Sequence, residues 1–187
     1  MPPSFRFATE ADIPALLELR LAVDADQERR FGKNRWSTLT SKRSVARGVR
    51  SSRVLVATQK GRIVGALRME TKKPWAVDLR YFTPVARAVY LHDVNVDPRR
   101  QRSGVGRQLI ECAKAAAREW PVDAIRLDAY DTPAGGGSFY AKCGFTQVGR
   151  AVYRGVPLLY VESLLGGERS GRDEDERRCK GFGRQPR

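Results

Sequence analysis

The apolar positions of this chain change period several times, and each change marks an element. Residues 4–8 read as a strand. Thr9, with Asp12 three positions on, forms a capping pair in front of Ile13, Leu16, Leu17, Leu19 and Leu21. That spacing predicts a helix over Ala11 to Val23. The next stretch, 24–36, is charged and holds Phe31 and Trp36 at no clear period, and a second helix is predicted over about 40–49. Residues 53–58 and 63–69 are apolar strands around Gln59-Lys60-Gly61-Arg62, which makes a hairpin. A long connection over 71–87 carries Trp75, Asp78, Tyr81 and Phe82. Long connections in compact domains are often functional.

Residues 89–96 are rich in Val, Tyr and Leu, and Pro98 must end that strand because proline cannot donate to a sheet ladder. Alternation puts His92, Val94 and Val96 on one of its faces and Asp93 and Asn95 on the other. From Val105 onward Leu109, Ala113, Ala116 and Trp120 recur at helical spacing until Pro121. Residues 125–130 form the next strand, and a short helix leads to Gly144, placed where a helix end needs positive φ. Gly135, Gly136 and Gly137 each disfavour that helix by about 1 kcal/mol relative to alanine, so its first turn is expected to be irregular. Residues 145–153 and 156–164 close the chain as a hairpin around Arg154-Gly155.

Composition narrows the class. A chain of 187 residues, 41% hydrophobic, suits one domain with one core, here residues 1–165. Residues 166–187 have no apolar period and read as a disordered charged tail that folding and activity do not need. The net charge is +14, of which the tail holds only +2. Such a charge points to polyanions: a coenzyme with several phosphates, nucleic acid, or an arginine-rich surface with no partner. An RNA reader is poorly supported, since the aromatics do not alternate on paired strands with Arg or Lys. The start, Met1-Pro-Pro-Ser-Phe-Arg, lacks a signal peptide's basic and apolar regions, and no window is long enough to span a membrane. A cytoplasmic protein without a membrane partner is expected. Three cysteines without Cys-x-x-Cys spacing and a single histidine predict reduced thiols and no metal.

The candidate chemistry starts between the strand at 89–96 and the helix from Val105. Gln101-Arg102-Ser103-Gly104-Val105-Gly106-Arg107 is a glycine loop leading into helix amides that lack intrahelical acceptors, and such amides converge on an anion. Arg99, Arg100, Arg102 and Arg107 add charge, but no Lys-Ser/Thr pair follows the glycines, so this is not a Walker P-loop. Gln101, Gly104 and Gly106 resemble the Gln/Arg-x-x-Gly-x-Gly/Ala signature of the GNAT superfamily of N-acetyltransferases. Phe139-Tyr140-Ala141-Lys142-Cys143-Gly144-Phe145 resembles the family's later Phe-Tyr-x-x-x-Gly-Phe, in the same order.

The resemblance, strongest over 89–145, implies a single-domain α/β fold. Its mixed, mostly antiparallel twisted sheet is flanked by helices and splayed at the acyl-CoA site. It also implies acetyl-CoA held by Gln101, Arg102, Gly104, Val105, Gly106 and Arg107, with the thioester beside Val94 and Val96. Tyr140 matches the family tyrosine that protonates the leaving thiolate. His92 stands where diamine acetyltransferases carry Glu and arylalkylamine acetyltransferases carry His, which makes it the candidate base; a strand histidine with satisfied nitrogens is equally compatible. Asp93, Trp75 and Tyr81 are candidates for the acceptor site. Pro133 replaces the Asn that commonly contacts the coenzyme arm. The expected activity is acetyl transfer to an amine of a small molecule or peptide by direct attack, in a chain that could form homodimers. The alternative is a coenzyme-binding or nucleic-acid-binding module that has lost catalysis.

Overall fold

The computed structural model describes residues 2–32, 40–133, 135–166 and Cys179. Its strands are β1 (Ser4–Phe7), β2 (Arg53–Gln59), β3 (Arg62–Glu70), β4 (Ala88–Val96), β5 (Ala124–Tyr130), β6 (Thr146–Tyr153) and β7 (Val156–Leu164). They form one sheet in the order β1-β2-β3-β4-β5-β7-β6. Every neighbouring pair is antiparallel except β4 and β5, which run parallel. Both predicted hairpins turn through two residues of positive φ, Lys60 and Gly61 in one and Arg154 and Gly155 in the other. Such turns match the twist of the strands they join.

Two helices cover each face. On one, α1 (Ile13–Phe31) and α2 (Lys42–Ser51) pack Ile13, Leu16, Leu19 and Val45 on Val54, Val56 and Ala66. On the other, α3 (Val105–Arg118) and α4 (Gly137–Lys142) bury Leu109, Ile110 and Tyr140 against Leu55, Leu67, Leu91 and Ile125. Helix α1 runs well past its expected end at Val23. Asp26, 5% exposed, ion-pairs with Arg29 and Arg30 one turn ahead, which lets the charged stretch continue as helix. The expected cap is present, with Thr9 N donating to Asp12 Oδ2 at 2.8 Å, but the first turn, Glu10–Asp12, is a 3-10 turn. Phe31 is exposed rather than tucked into the core, and Trp36 lies outside the described residues.

The strand at the centre departs from strict alternation. Asp93 has φ of +50°, and the β3–β4 register shifts there, Ala66 pairing with Asn95 but Arg68 with His92. The extra residue is a β-bulge, and it reverses the parity of everything after it. Leu91, Val94 and Val96 therefore all pack toward α3, while His92 sits on the opposite face with Tyr90. The expectation that His92 shares a face with Val94 and Val96 is corrected by this bulge. The apolar residues themselves switch parity between Leu91 and Val94, and that switch was its signal in the sequence.

The long connection 71–87 is fastened to the sheet on the His92 face. Arg126 and Glu162, both buried, pair across β5 and β7; Arg126 donates to Thr83 O, and Thr83 N donates to Glu162 Oε1 at 3.2 Å. The Tyr160 hydroxyl donates to Ala76 O, and Val77 and Phe82 pack on Tyr90 and Tyr160.

The expectation of reduced thiols is overturned at two of the three cysteines. Cys112, inside α3, forms a disulfide with Cys179, and both are buried. Cys143 is the free thiol. The expected disordered tail thus contains a residue fixed in the core, while nearly all the rest of 166–187 lies outside the described residues.

Candidate active site

Strands β4 and β5 pair only at Ala88–Ala124, Val89–Ile125 and Tyr90–Arg126. Beyond Tyr90, β4 keeps β3 on one side, whereas β5 pairs with β7 along its whole length. The sheet therefore opens into a V between the two parallel strands. Backbone groups of β4 from Leu91 to Val96 have no strand on the side that faces the opening, and such groups are available to a ligand.

The glycine loop lies directly after this edge. Gln101 donates from Nε2 to Val96 O at 3.5 Å and accepts from Arg30 Nη1 at 3.3 Å, so it ties the loop to β4 and α1. Arg102 and Gly104 have φ of +60° and +87°, left-handed values that curl the backbone. The first i→i−4 bond of α3 is Gln108 N to Gly104 O, at 3.0 Å, so the amides of Val105, Gly106 and Arg107 precede the helical ladder. A Cβ on Gly104 would meet nothing closer than 4.0 Å, whereas one on Gly106 would meet the Phe139 ring at 3.3 Å and Val96 Cγ2 at 3.4 Å. The two glycines act differently: Gly104 supplies a backbone conformation, and Gly106 lets α3 approach β4 and α4. Arg99, Arg100, Arg102 and Arg107 are exposed around the loop. A curled loop with free amides, an open approach at Gly104 and a cationic rim fits a pyrophosphate.

On the α3 side of the opening, Tyr140 is buried edge-on against Phe139 and Phe145, with ring centroids 5.2 and 5.9 Å apart. Burial pushes its hydroxyl pKa well above the usual tyrosine range, with Cys143 and Asp128 adding to the shift. It is a protonated phenol at neutral pH. Lys114 donates to Cys143 O at the end of α4, and Gly144 has φ of +76°, which together fix the helix that carries Tyr140. Pro133 is exposed.

On the other face, an open cleft of about 550 Å³ is lined by Pro74, Trp75 and Ala76 from the connection, His92 from β4, Asp128 from β5, and Tyr153 and Arg154 from the β6–β7 turn. His92 Nε2 is buried without a hydrogen-bond partner among the described residues and lies 3.7 Å from Glu70 Oε2. Burial lowers the His92 pKa below its ordinary value near 6.5; Glu70 opposes that shift and Arg68 reinforces it. Burial raises the Asp128 pKa, with His92 pulling it back.

The predicted acceptor residues separate in space. Trp75 joins His92 in the cleft, 88% exposed. Asp93 is elsewhere, ion-paired with Arg20 at 2.8 Å and Arg68 at 3.1 Å and lining a small cavity under α1 and α2. Tyr81 stacks on Tyr160 at 5.4 Å and covers Gly149, outside the residues that line the cleft. Asp78 caps a 3-10 turn, accepting from Arg80 N at 3.0 Å. Glu70 and Asp128 were not singled out by sequence reasoning. Both lie on the polar parity of their strands, beside or across from His92.

A parallel strand pair that parts beside a glycine loop, with an aromatic helix closing one side, defines a coenzyme-dependent acyltransferase fold. Residues 50–147 match the acetyltransferase (GNAT) domain family. The chain belongs to that family, which consists of acetyl-CoA-dependent N-acetyltransferases. No protein of curated function matches it. Among solved structures, it resembles the paiA N-acetyltransferase of Thermoplasma acidophilum in complex with coenzyme A, at 15% identity over 88% of this chain and 99% of that one, with a TM-score of 0.69. YncA of Salmonella typhimurium, solved with its cofactor acetyl-CoA, is 20% identical over 92% and 99% of the two chains, with a TM-score of 0.65. The ribosomal-protein-alanine N-acetyltransferase of Brucella melitensis is 25% identical over 86% and 99%, with a TM-score of 0.64.

Proposed function

We propose that this enzyme moves the acetyl group of acetyl-CoA to the primary amine of a small molecule or peptide by direct attack within a ternary complex. The observation that carries this reading is the V between β4 and β5, with His92 on one face and Tyr140 on the other. Acetyl-CoA supplies an acetyl group activated as a thioester. Gln101, Arg102, Gly104, Val105, Gly106 and Arg107 hold the pyrophosphate, and the unpaired edge at Val94–Val96 lines the acyl group and offers amides to its oxygen as charge develops.

His92 is neutral at pH 7 because burial lowers its pKa, and it accepts one proton from the acceptor ammonium, directly or through one water. The freed lone pair forms the new C–N bond. As the C–S bond breaks, Tyr140 gives its hydroxyl proton to sulfur, and the second proton shed by nitrogen returns to the phenol. The proton on His92 leaves to solvent, so one proton is released per turnover. Cys143 is a poor covalent nucleophile, since burial pushes its thiol pKa up.

Tyr140→Phe and His92→Ala test the roles. Each is expected to lower kcat by at least ~10-fold while leaving acetyl-CoA affinity unchanged. Full turnover by Tyr140→Phe, with chemistry rate-limiting, removes the general acid from this mechanism. A coenzyme-binding module without turnover is the rival reading, supported by Pro133 at the usual Asn position. Coenzyme binding with no acetylation across a broad amine panel decides for it.

A further inference from the structure

One carboxylate in the cleft has no side-chain partner among the described residues. Around His92, Glu70 is ion-paired with Arg68, and Asp93 with both Arg68 and Arg20. Deeper on the same face Glu162 is matched by Arg126. Asp128 differs from all of these: among the described residues no side chain hydrogen-bonds to it or ion-pairs with it, although it is only partly exposed. A half-buried carboxylate that has its own backbone N–H as a donor but no side-chain partner among the described residues is still costly, and the fold has arginines enough to neutralise it. It sits instead across the sheet opening from His92, whose buried Nε2 lacks a hydrogen-bond partner among the described residues.

The walls above this pair are apolar and flat. Trp75 is 88% exposed, which is unusual for so large an apolar ring, and Pro74 and Ala76 flank it. Partly buried polar contacts keep this segment in place, through Tyr160 to Ala76 O and Lys73 Nζ to Val77 O at 2.9 Å. At the cleft's other side Arg154 stacks over Tyr153 at 5.4 Å, which adds a second aromatic ring to the lining.

We propose that Asp128 is the acceptor-recognition carboxylate: it grips the ammonium of a primary amine beside His92 while Trp75 covers a flat apolar body attached to that amine. This assignment rests on the acetyl-transfer reading above and adds to it a substrate class and a specificity-determining residue. Asp128 binds the cation, and His92 takes the proton.

Calorimetric titration of the full-length protein saturated with coenzyme A, which cannot react, separates amine binding from turnover. Benzylamine is the cationic probe and aniline, uncharged at neutral pH, its neutral counterpart. Asp128→Asn is expected to weaken benzylamine binding by about tenfold or more, the loss of one charge-assisted contact, and to leave aniline and coenzyme A binding unchanged. Trp75→Ala, an exposed site that folding does not need, is expected to weaken benzylamine but not methylamine. Spermidine is expected to bind less tightly than benzylamine.

Equal benzylamine affinity in Asp128→Asn and parent, an equal loss for aniline, or no benzylamine binding by the parent overturns the assignment. Tighter binding of spermidine, which has no flat apolar body, overturns the role given to Trp75. If benzylamine binds in an Asp128-dependent way but is not acetylated from acetyl-CoA, the recognition site stands and the acetyl-transfer reading falls.

Discussion

His92 sits in a place that lowers its pKa, and this moves the expected pH profile away from where the sequence puts it. An ordinary imidazole gives a rate rise centred near 6.5, whereas burial shifts the rise below that value, since a base with a lower pKa loses its proton earlier as pH increases. kcat is therefore expected to be level through neutrality and to fall only on acidification, and His92→Ala is expected to flatten that fall. A rise centred at or above pH 7 contradicts His92 as the base. The same burial gives neutral His92 a stabilising contribution that is present above about 6.5 and lost as pH falls through the lowered pKa. Asp128 has the opposite sign: its pKa is raised, so its ionised form weakens the fold above that pKa, and Asp128→Asn is expected to keep or raise Tm at pH 7.5.

The two loop glycines also part company: Gly104→Val strains a left-handed backbone at the proposed pyrophosphate loop and is expected to cut acetyl-CoA affinity. Gly106→Val drives a side chain into Phe139 and Val96 and is expected to lower stability as well, by about 1–3 kcal/mol. Thermal melts beside coenzyme titrations distinguish them. Tyr140 and both glycines could be named as candidates from the sequence because they stand in motifs of fixed spacing, and His92 because its strand resembles one in related acetyltransferases. Asp128 could not be named as a candidate, because a lone aspartate on a strand's polar parity looks like any solvated residue until the opposite strand parts from it.

At the scale of elements, the hairpins, α3 and the closing strands followed from period and turn chemistry. The departures came from contacts between elements distant in sequence. The bulge at Asp93 is stabilised by arginines from α1 and β3, and it turns His92 away from Val94. The 71–87 connection has no period of its own; its order comes from the buried Arg126–Glu162 pair reaching Thr83. Glu162→Ala leaves a buried guanidinium uncompensated and is expected to cost about 3–5 kcal/mol. Because the same connection carries Trp75, the variant is also expected to raise KM for the amine more than KM for acetyl-CoA. Equal effects on both substrates, at a temperature where the variant stays folded, contradict a link between this anchor and the acceptor cleft.

For the molecule as a whole, the chief departure from the sequence reading is the Cys112–Cys179 bond, which joins α3 to a segment that composition marks as tail. An odd number of cysteines at wide spacing carries no pairing signal, and only the fold brings these two together. Closing a loop of 67 residues restricts the unfolded chain by about 4 kcal/mol in the chain-entropy model. Reduction, or Cys179→Ser, is expected to lower Tm, and denatured, unreduced protein is expected to show one titratable thiol, that of Cys143. Three thiols in protein alkylated at lysis contradict the bond and suit the reducing cytoplasm expected from the sequence.

The measurement that bears most directly on the account is a single turnover of acetyl-labelled coenzyme with excess benzylamine, quenched over time and read by intact-protein and product mass spectrometry. The label is expected to pass from coenzyme to the amine nitrogen with none on the protein at any time, and Tyr140→Phe is expected to slow that transfer without changing its route. Label found on the protein, at Cys143 or elsewhere, before it reaches the amine, or bound coenzyme that never yields acetylated amine, contradicts direct transfer at the opening between β4 and β5.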